Sequence, residues 1–419
     1  MFTKYLKVPE IRRRILFSLF VILVFRLLAH IPVPGVQQEA IKAFFSQSEI
    51  FGIFDMFSGG GFQNFSIVAL GLGPYINASI IIQLFTTLVP SLEELSKEGE
   101  QGREVLNNYT RMLTLPLALF NAYGLYIILR NQNVIDPLAT INLIVLILTL
   151  TAGTMALMWI GDLVTEYGIG QGISLLIFAG IVSALPQGLV QFFSTAGTMD
   201  PLTIAVIVVV GLALLVLVTV VNEGTRNIPI EYGRRSGTGI PSESYLPIKI
   251  NQTGMIPIIF AVAIASIPSF LGPLLNASDV SLLNQAGNVL TTYFAPTSWV
   301  YIIMYFLLVF GFTYFYTFFQ FDPVKIADDV KKRGGFVSGV RPGKNTESYL
   351  RGIIVKLTFF GALFLGSVAI LPSVLQKQFG ISESFVIGGA SLLIVVSVVL
   401  EIIRQVQSLS VSRSYDKYL

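Results

Sequence analysis

Read for reactive groups, this chain offers mostly near misses. Gly168-Ile169-Gly170-Gln171-Gly172 has the glycines of a dinucleotide loop, but no strand precedes it. Ile160-Gly161-Asp162 falls short of the Gly-x-Gly-Asp of aspartyl intramembrane proteases, and no partner aspartate is apparent. There is no His-Glu-x-x-His. The single histidine, His30, lies beside Pro32 and reads as a polar residue at a span end. It is a poor base for a serine nucleophile, and one histidine does not make a metal site. Cysteine is absent, which excludes thiolate chemistry and disulfides. The residues predict a protein that is not an enzyme and needs neither metal nor cofactor.

What remains is polarity where an apolar run should have none. Gly73-Pro74-Tyr75-Ile76-Asn77-Ala78-Ser79-Ile80-Ile81-Ile82-Gln83 starts on Gly and Pro and carries Asn77, Ser79 and Gln83. Inside a membrane each polar group needs a partner, so a segment facing only lipid would not keep them. The pattern returns as Asn251-Gln252-Thr253-Gly254-Met255-Ile256-Pro257-Ile258-Ile259. Two Gly/Pro-interrupted segments at matching positions point to a path or site between two halves of a transporter-like fold. The same segments hold isoleucines four apart, Ile76 and Ile80, and so does the run with Ile173 and Ile177. Each pair shares a helix side. Spacing alone favours lipid-facing or helix-packing isoleucine.

The elements that must position these residues are membrane helices. The 419 residues are 53% hydrophobic and 12% charged, where a soluble domain is nearer a quarter charged. Ten continuous apolar runs, centred near residues 22, 82, 118, 150, 181, 212, 261, 308, 362 and 394, approach the length of about 20 residues that a helix needs to span. Their continuity excludes a transmembrane barrel. The first run continues through Arg26 to Ile31-Pro32-Val33-Pro34, so no cleavable signal peptide is expected. With ten spans, 22 of the 27 Lys and Arg fall on the side of the termini and 3 on the other, which predicts both termini in the cytoplasm. Arg26 and Lys356 lie within spans near their ends and are expected to snorkel.

A break near 195–201 predicts two halves, 1–197 and 198–419, of five spans each. Five is odd, so the halves run in opposite directions, as inverted repeats do. Phe54–Ser66 mixes aromatics with three glycines, too short to span and too apolar for a free loop, and reads as re-entrant or interfacial. Two loops on the terminal side, about 223–250 and 321–351, keep β-branched residues among their charges and read as ordered, hairpin-like projections. An ion-coupled secondary solute transporter would share this architecture. It would usually need a carboxylate near the midplane of a span, and none falls there.

Taken together, the residues resemble the SecY family, the central subunits of bacterial protein-translocation channels. The resemblance runs from Ile31-Pro32-Val33-Pro34-Gly35 through 71–84 (GLGPYINASIIIQL), Gly168–Ser174, Asn227-Ile228-Pro229-Ile230, Leu246–Asn251 and Gly339-Val340-Arg341-Pro342-Gly343 to Gln405-Val406-Gln407-Ser408-Leu409, nearly the whole chain. It implies an all-α polytopic membrane protein, a clamshell of two pseudo-symmetric inverted five-helix halves with a short plug helix at about 55–66. By the same resemblance, Ile76, Ile80, Ile173, Ile177, Ile259 and Ile394 ring the pore, and Phe57, Gly59, Gly60, Gly61, Phe62 and Asn64 belong to the plug. Asn77, Gln83, Thr87, Asn251, Gln252 and Thr253 would lie along a lateral gate open to lipid, a weak seam for signal sequences. Arg234 and Arg235 in one loop, and Lys331, Lys332, Arg333 and Arg341 in the other, would dock the SecA motor and the ribosome. Ser338 stands where the family commonly has Pro, and the 226–249 loop is somewhat short, which bears on ribosome docking more than on the fold. Implied partners are SecE, SecG, SecA, the ribosome, signal sequences and preproteins, membrane lipid, and an accessory SecDF-type complex or YidC-type insertase. The implied setting is the bacterial cytoplasmic membrane.

Overall fold

The computed structural model describes residues 8–33, 58–131, 134–197, 200–232, 244–276, 280–379 and 389–416. Its first part is helical: α1 (Pro9–Leu28), α2 (Gly73–Leu88), α3 (Pro90–Lys97), α4 (Glu100–Asn131), α5 (Thr140–Tyr167) and α6 (Gly172–Ala196). Next come α7 (Pro201–Glu223), strands β1 (Thr225–Tyr232) and β2 (Ser244–Lys249), α8 (Ile256–Asn276) and α9 (Ser281–Tyr293). The chain closes with α10 (Trp299–Gln320), α11 (Pro323–Lys332), β3 (Gly335–Val337), α12 (Lys344–Phe379) and α13 (Gly389–Asp416). The expected divide after 197 abuts residues 198 and 199, which lie outside the described residues.

Each of the ten expected spans has a helix at its centre. Among the described residues, eight helices are long and apolar enough to cross a membrane. The count is nine if α2 and α3, bent by 101° at Val89, are one broken span. Val89 is extended (φ −108, ψ 112) because Pro90 follows it and disfavours the helical region. α1 falls short on composition, since Glu10 and Arg12–Arg14 occupy its first turns and Arg26 its last. Within the bundle, several threonines satisfy themselves. The hydroxyls of Thr110, Thr114, Thr151, Thr313 and Thr317 each donate to the carbonyl four residues earlier.

The helices differ in how much protein covers them. Half of the most apolar stretch of α12 is buried, against 6% for α7. Val218 is fully buried on α7, while Leu202, Val209, Leu212, Val216 and Val220 are exposed. At its end, the Asn222 side chain donates to Ser397 of α13 (3.3 Å) and accepts from Asn251 (2.7 Å). α9 is a short amphipathic helix laid against α8. Ser269 of α8 donates to the Phe294 carbonyl just past α9 (2.9 Å). Leu282, Val289 and Tyr293 of α9 are exposed.

On one side of the bundle the two long loops join. β1 pairs antiparallel with β2, Arg226 opposite Ile248 and Ile228 opposite Leu246, and its far end pairs with β3, Ile230 opposite Val337. Ile228, Ile248 and Val337 pack with Ala327 of α11 and Leu350, Ile353 and Ile354 of α12 into one small core. The described part of the 223–250 loop is an antiparallel pair of strands, in keeping with the hairpin-like expectation. The 321–351 loop is not: it is a helix, a three-residue strand and a turn. Asp322 caps α11 by accepting from the Val324 amide (2.9 Å), and that helix signal outweighs the loop's β-branched content.

Candidate functional site

Both Gly/Pro-bearing segments turn out to be helix starts. Pro74 and Pro257 each sit in the first turn of a helix, α2 and α8, where a missing amide costs nothing. The polar trio Asn251-Gln252-Thr253 therefore lies in the turn ahead of α8, not within it. α2 and α8 lie against one another, and α6 lies against α13.

The six singled-out isoleucines come together. Ile76 and Ile80 of α2, Ile177 of α6, Ile259 of α8 and Ile394 of α13 are buried in one apolar cluster, and Ile173 of α6, half-buried, packs against it. Four helices, two from each side of residue 197, thus meet through apolar side chains. Met255, Phe260, Leu72, Val68, Leu176 and Val398 fill in around them.

The glycine-rich segment borders this cluster through Gly59, beside Phe25, and Gly61, near Val68, while its Phe62 and Phe65 pack in a second apolar cluster with α4 and α5. Phe57 lies outside the described residues. Ser58 is helical, and from Gly59 to Leu72 the chain runs mostly through turns rather than continuing the expected helix. Gly59 (φ +67) and Gly60 (φ +83) adopt the left-handed conformation that ends a helix, and Phe65 shares it at φ 44. The segment is nonetheless packed. Ser58, Phe62, Phe65, Ser66, Val68, Ala69 and Leu72 are buried, and the Phe62 amide donates to Ser58 Oγ (2.8 Å). Its far end pairs with the chain after α1: the Val33 amide donates to the Phe65 carbonyl (2.9 Å) and the Ile67 amide to Ile31 (3.0 Å). Gly153 of α5 allows this seat, because a Cβ there would lie 1.8 Å from the Ile67 carbonyl oxygen.

The polar residues of α2 and the α8 turn are not equivalent. Asn251 is buried and bonded: its amide donates to Asn222 and to the Gly254 carbonyl (3.2 Å), and its oxygen accepts from the Gly254 amide (3.1 Å) and from Thr253 Oγ1 (3.4 Å). It fixes the turn that starts α8. Gln83 donates to Ser79 within α2 (3.3 Å), but its carbonyl oxygen is buried without a hydrogen bond, as are both polar atoms of Gln252. Asn77 is half-buried. Thr87 is exposed and donates back to Leu84 (2.6 Å).

Of the basic loop residues, Arg234 and Arg235 lie outside the described residues. Lys331, Lys332, Arg333 and Arg341 are exposed on the small sheet-bearing unit. The Arg341 carbonyl accepts from Thr346 Oγ1 (3.0 Å), and the Ser338 amide reaches Pro229 of the other loop (3.4 Å). Burial holds the Lys249 ammonium below its ordinary range; Arg404 lowers it further, against Glu223 and Glu401. Arg404 itself pairs with Glu223 (2.6 Å).

The residues missed by sequence reasoning are those whose partners are remote. Arg26, expected to snorkel, donates to the Gly59 carbonyl. Gly168–Gly172, the false dinucleotide loop, is a tight α5–α6 connection. Gln405 of α13 accepts from the Gly170 amide, Arg14 of α1 donates to the Gly168 carbonyl (3.3 Å), and Ser18 accepts from the Ile169 amide (3.0 Å).

Comparison with known proteins speaks to the family and the fold. The SecY family model matches residues 66–403. The chain is 40% identical to the protein translocase subunit SecY of Aquifex aeolicus, over 100% of this chain and 99% of that one. It is also 40% identical to the subunit of the same name from Bacillus subtilis, covering 100% and 98%. Among solved structures, it is similar to one described as a protein conducting channel (TM-score 0.67, 19% identity, 98% of each chain). It is also similar to one concerning the plug domain of SecY and the closed state of the translocation channel (TM-score 0.69, 20% identity, 98% and 97%). A further likeness is to Sec61 in a canine ribosome–channel complex (TM-score 0.65, 18% identity, 98% and 97%).

Proposed function

The chain belongs to the SecY family, and we propose on that premise that it is the pore-forming subunit of a protein-translocation channel. It passes unfolded polypeptides across the membrane and releases apolar segments sideways into lipid. The observation that carries this reading is the meeting of six isoleucines from four helices in one cluster. A constriction of branched apolar side chains excludes water and ions when closed. It offers a passing chain no fixed hydrogen-bond partner, so any sequence slides through and the ring closes around it.

In this reading the halves 1–197 and 198–419 form the clamshell, and residues from about 55 to 66 plug its outer side. The seam between α2 and α8 is the lateral gate. Gln83 and Gln252, each with a buried polar atom lacking a hydrogen bond, support a seam held weakly. A signal sequence then trades protein contacts for lipid through its own apolar length. Asn251 stands differently: its bonds are spent within the α7–α8 connection, so it shapes the gate rather than loosening it.

The exposed basic residues Lys331, Lys332, Arg333 and Arg341, with Arg234 and Arg235, receive the SecA motor or the ribosome. The ribosome-bound Sec61 among the similar structures supports the latter. The chain itself hydrolyses nothing; ATP turnover by SecA, or translation, supplies the push. SecE embraces the two halves, SecG sits at the periphery, and a SecDF-type complex or YidC-type insertase assists. Both termini face the cytoplasm of a bacterial cell, the chain lying in its cytoplasmic membrane. The relatives are named as translocase subunits, which favours this over the solute-transporter reading.

The absence of cysteine makes the test direct. A single cysteine at residue 80 or 177, in the complex reconstituted with SecE and SecA, is probed with a stalled precursor carrying one cysteine. A disulfide that needs both ATP and a signal sequence is the expected result. Verified translocation with no crosslink from either position means that the isoleucines do not line the path.

A further inference from the structure

Arg26 is the one charged side chain described in the last two turns of α1. A charge within a membrane span is costly, so its ordinary course is to reach for the water. Here its Nη1 instead donates to the backbone carbonyl of Gly59, 2.5 Å away. An arginine near a span end that donates to a backbone carbonyl of another segment marks a contact that matters.

The neighbours of Gly59 explain the geometry. A Cβ at this position would lie 2.7 Å from Cζ of Phe25, the residue next to Arg26, and 3.3 Å from the Cα of Gly180 in α6. The backbone of Gly59, at φ +67, is therefore wedged between α1 and α6 with its carbonyl presented to the guanidinium. The two ends of the segment are held differently. At the far end, the two main-chain bonds of the Pro32–Ser66 bridge join it to the chain just after α1. Near Gly59 stands this charged contact from a side chain. Main-chain pairing makes a lasting neck, whereas a single side-chain donor can be withdrawn.

We infer that Arg26 is the catch that holds the plug in its seat. Phe25 and Gly180 shape the recess that receives Gly59. Opening draws the Gly59 end away from Arg26, and the segment swings about the fixed neck at 31–33 and 65–67. Arg26 is thus a positioning residue for the closed state, acting through the plug and not on the translocating chain. The inference rests on the plug reading given above.

Ion conductance of the reconstituted complex in planar bilayers tests it, with a chain lacking residues 58–64 as reference. Loss of a charge-assisted hydrogen bond predicts that Arg26→Met raises the open fraction by about tenfold. Arg26→Lys, which keeps a donor, restores most of the seal. Gly59→Ala leaves Arg26 in place but cannot fit the recess, and is expected to leak similarly. In the shortened chain Arg26→Met adds nothing, because the segment it holds is gone; a merely structural role would add leak there too. A shortened chain that leaks beside a tight Arg26→Met and Gly59→Ala would overturn the catch and leave the plug standing. A shortened chain that stays sealed removes the plug reading, and the catch falls with it.

Discussion

The waist and the platform are built on opposite plans. At the waist, helices from both sides of residue 197 meet through isoleucine, valine and leucine side chains. On the basic side, two loops are stitched by a main-chain ladder, β2-β1-β3, over a small core shared with α11 and α12. Apolar contact is non-directional, and surfaces held by it can part and reseal. Paired strands hold a register, and a slip of one residue would turn every side chain to the wrong face. The contrast teaches that one chain combines a soft apolar meeting of helices with a stiff hydrogen-bonded platform; in the proposed reading the first is the path and the second the docking face.

The sharpest way to break that comparison is to disable one region and read the other. Arg341→Glu on the platform is expected to cut SecA-driven transport about a hundredfold, since like charges in a docking interface cost several kcal/mol. Bilayer conductance should stay at the wild-type level; normal ATP-dependent transport into vesicles would remove the platform's role. Ile80→Asn at the waist is the converse. A buried amide without a partner costs about 1–3 kcal/mol, so the closed state should leak roughly tenfold more while SecA still binds. A tight seal in that variant would mean the waist is ordinary core.

Ile248→Ala probes stiffness alone. Ile248 is fully buried between the strands and α12, and its truncation is expected to cost about 2–4 kcal/mol locally. Amide exchange should quicken in β1 and β3 and not in α2 or α6. Exchange that quickens equally in both regions would show them coupled after all.

The smallest expected effect concerns Lys249. Its folded pKa is lowered by burial, so its proton is held less tightly in the folded chain than in the unfolded one. Stability linked to this group therefore grows as pH rises through the folded value towards the unfolded one, and is lost below. Lys249→Gln should melt slightly higher than the parent near neutral pH, with the gap closing in the alkaline range. A gap that widens with pH would reverse the assignment.

Much of this was legible in the residues. Each of the ten apolar runs marked a helix, and among the described residues eight, or nine with the bent pair, are long and apolar enough to cross a membrane. The isoleucine pairs in α2 and α6 stood out by spacing, yet spacing could not say that Ile259 and Ile394 meet them; only the family resemblance did. The sheet was half legible. The 223–250 loop read as hairpin-like, but the three residues of β3 carry too short a pattern to reveal a partner a hundred residues earlier. α9 was overlooked, although Leu282, Ala286, Val289, Leu290 and Tyr293 recur at helical spacing. It is too short to span and so escaped a search for spans. The acceptor of Arg26 was not legible, because snorkelling is a local expectation and the Gly59 carbonyl lies 33 residues away.

α7 carries a consequence of another kind. Little of its apolar length is covered by the rest of the chain, and its hydrogen-bonded fastening is at one end, through Asn222. Along most of its course no neighbouring side chain reads which of Val, Leu or Ile stands where. Such a helix stores composition and length rather than order. Shuffling its outward residues among themselves should pass unnoticed, while one misplaced residue at Val218 or Asn222 would not. Information in this chain is thus distributed very unevenly, dense wherever helices touch and nearly blank wherever the chain leaves a helix bare.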